Sequence, residues 1–368
     1  MIISRTPFRI SFFGGGTDYP TWYLKHGGAV LSTAINKYCY ITCRYLPPFF
    51  DHKYCIVYSR TEYCQTIEDI AHPAVREVIR FLKFDRGLEI HHDADLPARS
   101  GMGSSSAFTV GLLNGLYALK GQMVGKRRLA MESIHLEQDV LNETVGSQDQ
   151  VLAAYGGFNH TVFFNNGEIS VRPITITRDR MRELESHLML FYTGIKRTAS
   201  TVAETYVNGI DDRRRQLRAI KDMVQEGISI LSEGHDIRAF GELLHEAWQL
   251  KASLSGSVSN ARIDDVYAQA RAGGAIGGKL TGAGGGGFLL LFAAPDTHDA
   301  ILEKLRPLIH VPFNFDYTGS QIIFFGQEED YEGEERSRSS NPVPAFEELM
   351  QGPGEADQIF ASVLGERS

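Results

Sequence analysis

The stretch Pro97-Ala98-Arg99-Ser100-Gly101-Met102-Gly103-Ser104-Ser105-Ser106-Ala107, running into an apolar segment that ends near Leu119, constrains this chain more than any other. Its glycines allow a tight turn and a close approach of backbone to a ligand, and its serines stand where a helix over about 105–119 should begin. A helix starting there aims unpaired N–H groups and a partial positive charge forward, which makes an anion site. The hydroxyls of Ser104, Ser105 and Ser106 can bond phosphate oxygens, and one of them can ligate Mg2+, which keeps most of its waters and needs few protein ligands. An ordinary helix cap behind a glycine turn would use the same residues, and the Gly-Lys-Ser/Thr ending of a Walker loop is missing.

Two further segments are rich in glycine. Lys279-Leu280-Thr281-Gly282-Ala283-Gly284-Gly285-Gly286-Gly287 places five glycines in six positions between apolar β segments. That much glycine is costly in chain entropy, so close backbone approach to another group is the expected reason, with a flexible hairpin as the alternative. Near the start, the alternation Phe8, Ile10, Phe12 reads as a strand carrying Arg9 that breaks at Gly14-Gly15-Gly16, just before Thr17 and Asp18. Further strands are expected over 29–45, 87–92, 158–164, 187–192, 275–282, 287–293 and 313–325. Helices are expected over 73–84, 127–142, 147–155, 199–232 and 236–253, and the mixture is α+β rather than a βαβ array.

The chain of 368 residues suits two domains, divided here at residues 1–170 and 171–327. Residues 327–368 hold 11 acids against 3 bases and are rich in Glu, Ser, Pro and Gly, so 328–368 is expected to be an acidic tail, disordered or weakly helical, with Ala345–Met350 and Ala356–Leu364 as candidate short helices. The remainder carries 34 residues of each sign, which argues against a generic nucleic-acid binder. Neither a membrane-spanning run nor a signal peptide is evident, so a cytoplasmic protein is expected. Cys39 and Cys43 would sit about 13 Å apart on one strand face at ~3.3 Å per residue, too far to share an ion, so the four cysteines read as buried thiols. His91 and His92, adjacent on a strand, point to opposite faces and should not chelate one metal.

The three glycine-rich segments, in this order, resemble the GHMP kinases over about residues 1–326. Residues 97–107 are similar to the family's phosphate loop, with Met102 and Ser106 as mild departures. Thr6-Pro7-Phe8-Arg9 with Gly14 to Asp18, the run Glu137 to Gln150, and Tyr155-Gly156-Gly157-Phe158-Asn159 resemble the sugar-kinase branch that includes heptose 7-phosphate kinases. The resemblance implies a two-domain fold, with an N-terminal half like ribosomal protein S5 domain 2 and a ferredoxin-like C-terminal half.

It also implies an ATP- and Mg2+-dependent phosphotransferase acting on an anomeric hydroxyl, with a heptose 7-phosphate as the favoured acceptor. A fucose- or galactose-type 1-kinase and a non-catalytic sugar- and ATP-binding regulator are the alternatives, and self-association into a homodimer is left open. By the same resemblance Asp149 faces the acceptor hydroxyl with Arg9 beside it. Pro97, Arg99, Ser100, Gly101, Met102, Gly103, Ser104, Ser105 and Ser106 form the nucleotide loop. Ser105 and Glu137 hold Mg2+, with Asp139 as substitute because the interval from Glu137 to Asp149 is one residue longer than in mevalonate kinase. Gly16, Thr17, Asp18, Gly284 and Gly285 line the acceptor site. Lys196 and Arg197 are candidates to grip an acceptor phosphate, with Lys251 a weaker one, since such residues are commonly surface cations.

Overall fold

In the computed structural model of this chain, the structure describes residues 1–195, 203–205, 207, 209–327, 331, 333, 334, 336 and 337. Lys196, Arg197 and most of the acidic tail lie outside the described residues.

The first sheet grows from two long neighbours, β1 (Ile2–Phe13) and β2 (Gly28–Tyr45), paired antiparallel along nearly their whole length. The sheet continues through β5 (Leu88–Ala94) to the hairpin β3 (Tyr54–Val57) and β4 (Thr61–Cys64), while β6 (Phe158–Phe163) pairs β2 and β7 (Ile169–Pro173) pairs β6. A helix, α3 (Ser104–Leu119), lies across β1 and β2 and is apolar all round, as a helix covered on every side must be. Two of its glycines let it sit close: a Cβ on Gly111 would stand 2.8 Å from Thr6 Oγ1, and one on Gly115 3.2 Å from Cys43 Sγ. All four cysteines are buried free thiols.

The second sheet has the order β11 (Ile309–His310), β8 (Leu188–Tyr192), β10 (Phe288–Ala293), β9 (Ala275–Leu280). The helix α7 (Arg214–Ser232) lies against β1 and β2 of the first sheet, while α8 (Arg238–Ala252) and α9 (Ala261–Ala272) pack on β9, and each buries one apolar face. The strand expected over 313–325 was read as part of this second unit, and the structure corrects that. β12 (Phe315–Asp316) pairs β2 and β13 (Gln321–Phe325) pairs β1, so the chain crosses back to finish the first sheet. The physical reason is that β1 would otherwise present an unpaired edge over the buried Ile2.

The contact between α8 and β9 is made backbone to backbone. A Cβ on Gly277 would lie 1.8 Å from Gly241 O, and one on Gly241 would lie 2.4 Å from the ring of Phe292. Gly277→Ala should therefore push α8 off the sheet and cost at least about 2 kcal/mol. Urea denaturation at equilibrium checks this, and an unfolding midpoint equal to that of the parent would refute the close packing.

Candidate active site

Arg9 sits in the buried middle of β1, opposite Ala34 on β2. Its Nε and Nη2 donate to Asp149 Oδ1 and Oδ2 at 2.7 and 2.5 Å, and its Nη1 donates to Gly101 O at 2.6 Å. The planar fork of a guanidinium matches a carboxylate in this two-bond geometry, which fixes both side chains. Asp149 is in the first turn of α5 (Gln148–Tyr155), where a helix N-terminus favours an acid, and its side chain keeps 23% of its exposure while Arg9 keeps 5%. The carboxylate is thus anchored on one side and open on the other.

The phosphate loop wraps this pair. Arg9 N donates to Met102 O at 3.2 Å, and a Cβ on Gly103 would stand 3.2 Å from Arg9 Cγ and 3.4 Å from Asp149 Oδ2. Arg99, Gly101 and Gly103 all have positive φ, and Gly103 caps α3 in the left-handed conformation. Ser100 Oγ donates to Pro97 O at 2.6 Å, and Arg99 N donates to Ser104 Oγ at 3.3 Å, so these side chains hold the loop's own shape. Ser105 is exposed at the first turn of α3 and Ser106 is buried.

Glu137 is fully buried, and the hydroxyl that reaches it is that of Ser106 (2.8 Å to Oε2), where Ser105 was expected. Gln150 Nε2 donates to the same oxygen at 2.5 Å. The other oxygen, Oε1, has no hydrogen-bond partner among the described residues. Burial pushes the Glu137 pKa up to about 7, against the pull of the nearby Ser106, Thr109 and Gln150 side chains. An orphaned buried carboxylate oxygen beside a helix N-terminus lined with serine hydroxyls fits a hard divalent cation. Asp139 does not share this place, because its exposed carboxylate pairs with His135 Nδ1 at 2.8 Å. Both acids lie in one π-helical turn, Leu136–Val140.

Asp18 closes the turn after β1 and is buried. Its Oδ1 accepts from Gly16 N at 2.9 Å and its Oδ2 from Gln148 N at 3.3 Å, tying the turn to the start of α5. Burial raises its pKa, and the charge of Asp149 raises it further. A Cβ on Gly146 would fall 1.9 Å from Asp18 Oδ2, which accounts for glycine there. Thr17 is spent inside the turn, its hydroxyl donating to Gly14 O at 2.8 Å and accepting from Ala29 N at 3.1 Å.

The second glycine-rich segment meets the first. Gly101 would place a Cβ 2.7 Å from Thr281 O, Gly282 one 2.7 Å from Gly101 Cα, and Gly287 one 2.1 Å from Ser100 O. Gly284 and Gly285, expected at the acceptor, pack instead on Val258, with Gly285 N donating to Val258 O at 2.7 Å. Lys251, weighed as a surface cation, is buried, and so is Lys279. Their location between two sheets has no signature in residue spacing, although Lys279 opens the glycine-rich run that carries it there.

The arrangement brings Arg9, Asp18, Asp149, Glu137 and the loop 99–106 together. It offers a fixed, partly open carboxylate next to an anion cradle, which suits activation of a hydroxyl for attack on a phosphoryl group. Comparison with known proteins agrees. The profile of the GHMP kinases N terminal domain matches residues 69–157 and that of GHMP kinases C terminal matches residues 219–307. The D-glycero-alpha-D-manno-heptose 7-phosphate kinase of Campylobacter jejuni is 29% identical over 83% of this chain and 93% of its own. The mevalonate kinase of Methanothermobacter thermautotrophicus is 30% identical over 60% of this chain and 72% of its own. Among solved structures, a D-glycero-D-manno-heptose 1-phosphate kinase from Bacteriodes thetaiotaomicron superposes with a TM-score of 0.72 at 24% identity, covering 89% of this chain and 100% of the other. No helix among the described residues is long and apolar enough to cross a membrane. With both domains matched, and relatives aligned along most of their length, this chain belongs to the GHMP kinase family and is a phosphotransferase with an alcohol group as acceptor.

Proposed function

We infer that the protein is an ATP- and Mg2+-dependent sugar kinase that phosphorylates the anomeric hydroxyl of a sugar phosphate, with D-glycero-D-manno-heptose 7-phosphate as the acceptor. The observation that carries this reading is the two-bond Arg9–Asp149 pair held against the phosphate loop, in a chain similar to a heptose 7-phosphate kinase over 83% of its length.

In this reading Asp149 orients the acceptor hydroxyl and takes its proton, while Arg9 keeps the carboxylate in place and adds positive charge at the transferred group. Lone pairs on Asp18 left over from its two backbone contacts accept sugar hydroxyls. The backbone N–H groups at the start of α3 and the hydroxyls of Ser104 and Ser105 bind the nucleotide's phosphates. Glu137, with the hydroxyl of Ser105 or Ser106, would hold Mg2+, which would offset the charge of the nucleotide's phosphates. Lys196 and Arg197 are retained as candidates for the acceptor's own phosphate.

ADP production, coupled to an optical readout, across a panel of free and phosphorylated sugars tests the acceptor. Heptose 7-phosphate should show the highest kcat/KM, and faster turnover of a free sugar would favour the simple 1-kinase. A panel that is inert throughout while ATP still binds would favour the regulator.

Asp149→Asn should lower kcat at least about 10²-fold with little change in nucleotide affinity. Near-normal turnover removes Asp149 from the chemistry. Glu137→Gln should raise the Mg2+ concentration needed for half-maximal rate. Because Ser106 donates to the same carboxylate, adding Ser106→Ala should cost less than the two single effects combined. Strict additivity would mean that the two residues serve separate sites.

A further inference from the structure

Two buried lysines, Lys251 on α8 and Lys279 on β9, lie beside this site, and the chemistry above uses neither. Lys251 lies in the last turn of α8, and its Nζ donates to Gly282 O, the carbonyl of the residue that packs on Gly101. That is its single hydrogen bond among the described residues, so two of the three ammonium donors are unspent in a place shielded from water. The charges around it come from four elements: Arg9 on β1, Asp18 on the turn after β1, Asp149 on α5 and Lys279 on β9. Arg9 spends three of its five N–H donors on Asp149 and Gly101 O, and Lys279 Nζ donates to Phe12 O at 2.8 Å. The carboxylates of Asp18 and Asp149 both act on the charge of Lys251.

Resting on the reading of Arg9 and Asp149 as the transfer centre, we propose that Lys251, as an ammonium, is a second cation of that centre, supplied from the C-terminal half, which donates to the non-bridging oxygens of the phosphoryl group in transit. In that step the acceptor oxygen forms the new P–O bond, and the bond from the γ-phosphorus to the bridging oxygen breaks. ADP leaves with that electron pair and the hydroxyl proton passes to Asp149. Lys251 keeps its own protons throughout. Burial and the charge of Arg9 lower its pKa to about 8, although Asp18 and Asp149 oppose the shift. The ammonium is therefore lost from the free enzyme as pH rises through about 8, and kcat/KM, which reports free-enzyme ionisations, falls with it.

Lys251→Met, assayed with heptose 7-phosphate, should lower kcat about 10²-fold, the typical loss from removing one donor to a developing oxyanion, with KM for ATP changed less than about threefold. Lys251→Arg keeps a charge that does not titrate, so it should recover at least about a tenth of the parent kcat and lose the fall above pH 8. A measurement independent of the acceptor is calorimetric affinity for Mg–ADP with tetrafluoroaluminate, a mimic of the phosphoryl group in transit. It should weaken about 10²-fold in Lys251→Met while affinity for Mg–ADP alone stays put. Turnover of Lys251→Met within about threefold of the parent, an unchanged alkaline limb in Lys251→Arg, unchanged affinity for the mimic, or a loss confined to KM for the acceptor would each overturn the proposal. If Lys251→Met does not fold, the Lys251→Arg profile and its affinity for the mimic decide. Asp149→Asn run in parallel separates the two readings: normal turnover there removes the centre itself, whereas loss there beside an unaffected Lys251→Met removes only the lysine.

Discussion

Gly101 and Gly282 approach so closely that neither has room for a Cβ, and the placement of the site follows from that contact. It joins the phosphate loop of the first sheet to the turn between β9 and β10 of the second, backbone against backbone. A methyl group on either side would force the loops apart, so small residues are required for the two halves to meet. Both glycines also have positive φ, which disfavours larger residues there by conformation as well as by space. The carbonyls on this seam are in use: Gly101 O takes Arg9 Nη1 and Gly282 O takes Lys251 Nζ. The seam therefore sets the positions of cations from both halves through groups that cannot rotate away.

Electrostatics adds a second constraint. Arg9, Lys251 and Lys279 are buried in the same neighbourhood as Asp18 and Asp149, so cations outnumber carboxylates. Desolvation, followed by mutual repulsion, lowers both lysine pKa values. An isolated protein gains nothing from gathering like charges in a low-dielectric place, since each must be stripped of water. A phosphoryl-bearing ligand reverses the balance, because its oxygens supply the negative charge that the cluster lacks. The same reasoning applies to Glu137: burial disfavours its charged form, and its bare Oε1 is what a bound divalent ion would use.

Much of this was readable from residue order, for physical reasons that can be named. The loop 97–107 and the apolar helix behind it show in local composition, because glycine, serine and a run of aliphatics each have strong conformational or solvation preferences. Arg9 on a strand and Asp18 after a glycine turn follow from periodicity and turn chemistry. What stayed hidden depends on distant contacts. The return of β12 and β13 to the first sheet is a choice between two available edges, and strand patterning does not say which edge is vacant. Lys251 reads as a surface cation because a charged residue near a helix end usually is one, and only the packing of α8 on β9 through Gly241 and Gly277 turns it inward. Gly284 and Gly285 are drawn to Val258 by the same tertiary closure.

The interval between Glu137 and Asp149 shows how the fold brings two acids from different helices to one place. Glu137 stands in the π-helical turn Leu136–Val140. The chain then leaves through the loop that contains Gly146, whose bare Cα lets Asp18 come close, and starts α5 with Asp149 in its first turn. Gln150, one residue on, points back to Glu137 Oε2, so the two acids are tied through a single amide. Local features, a π-helical turn, one glycine and one amide, thus bring both carboxylates to the loop at the head of α3 without a shared helix face.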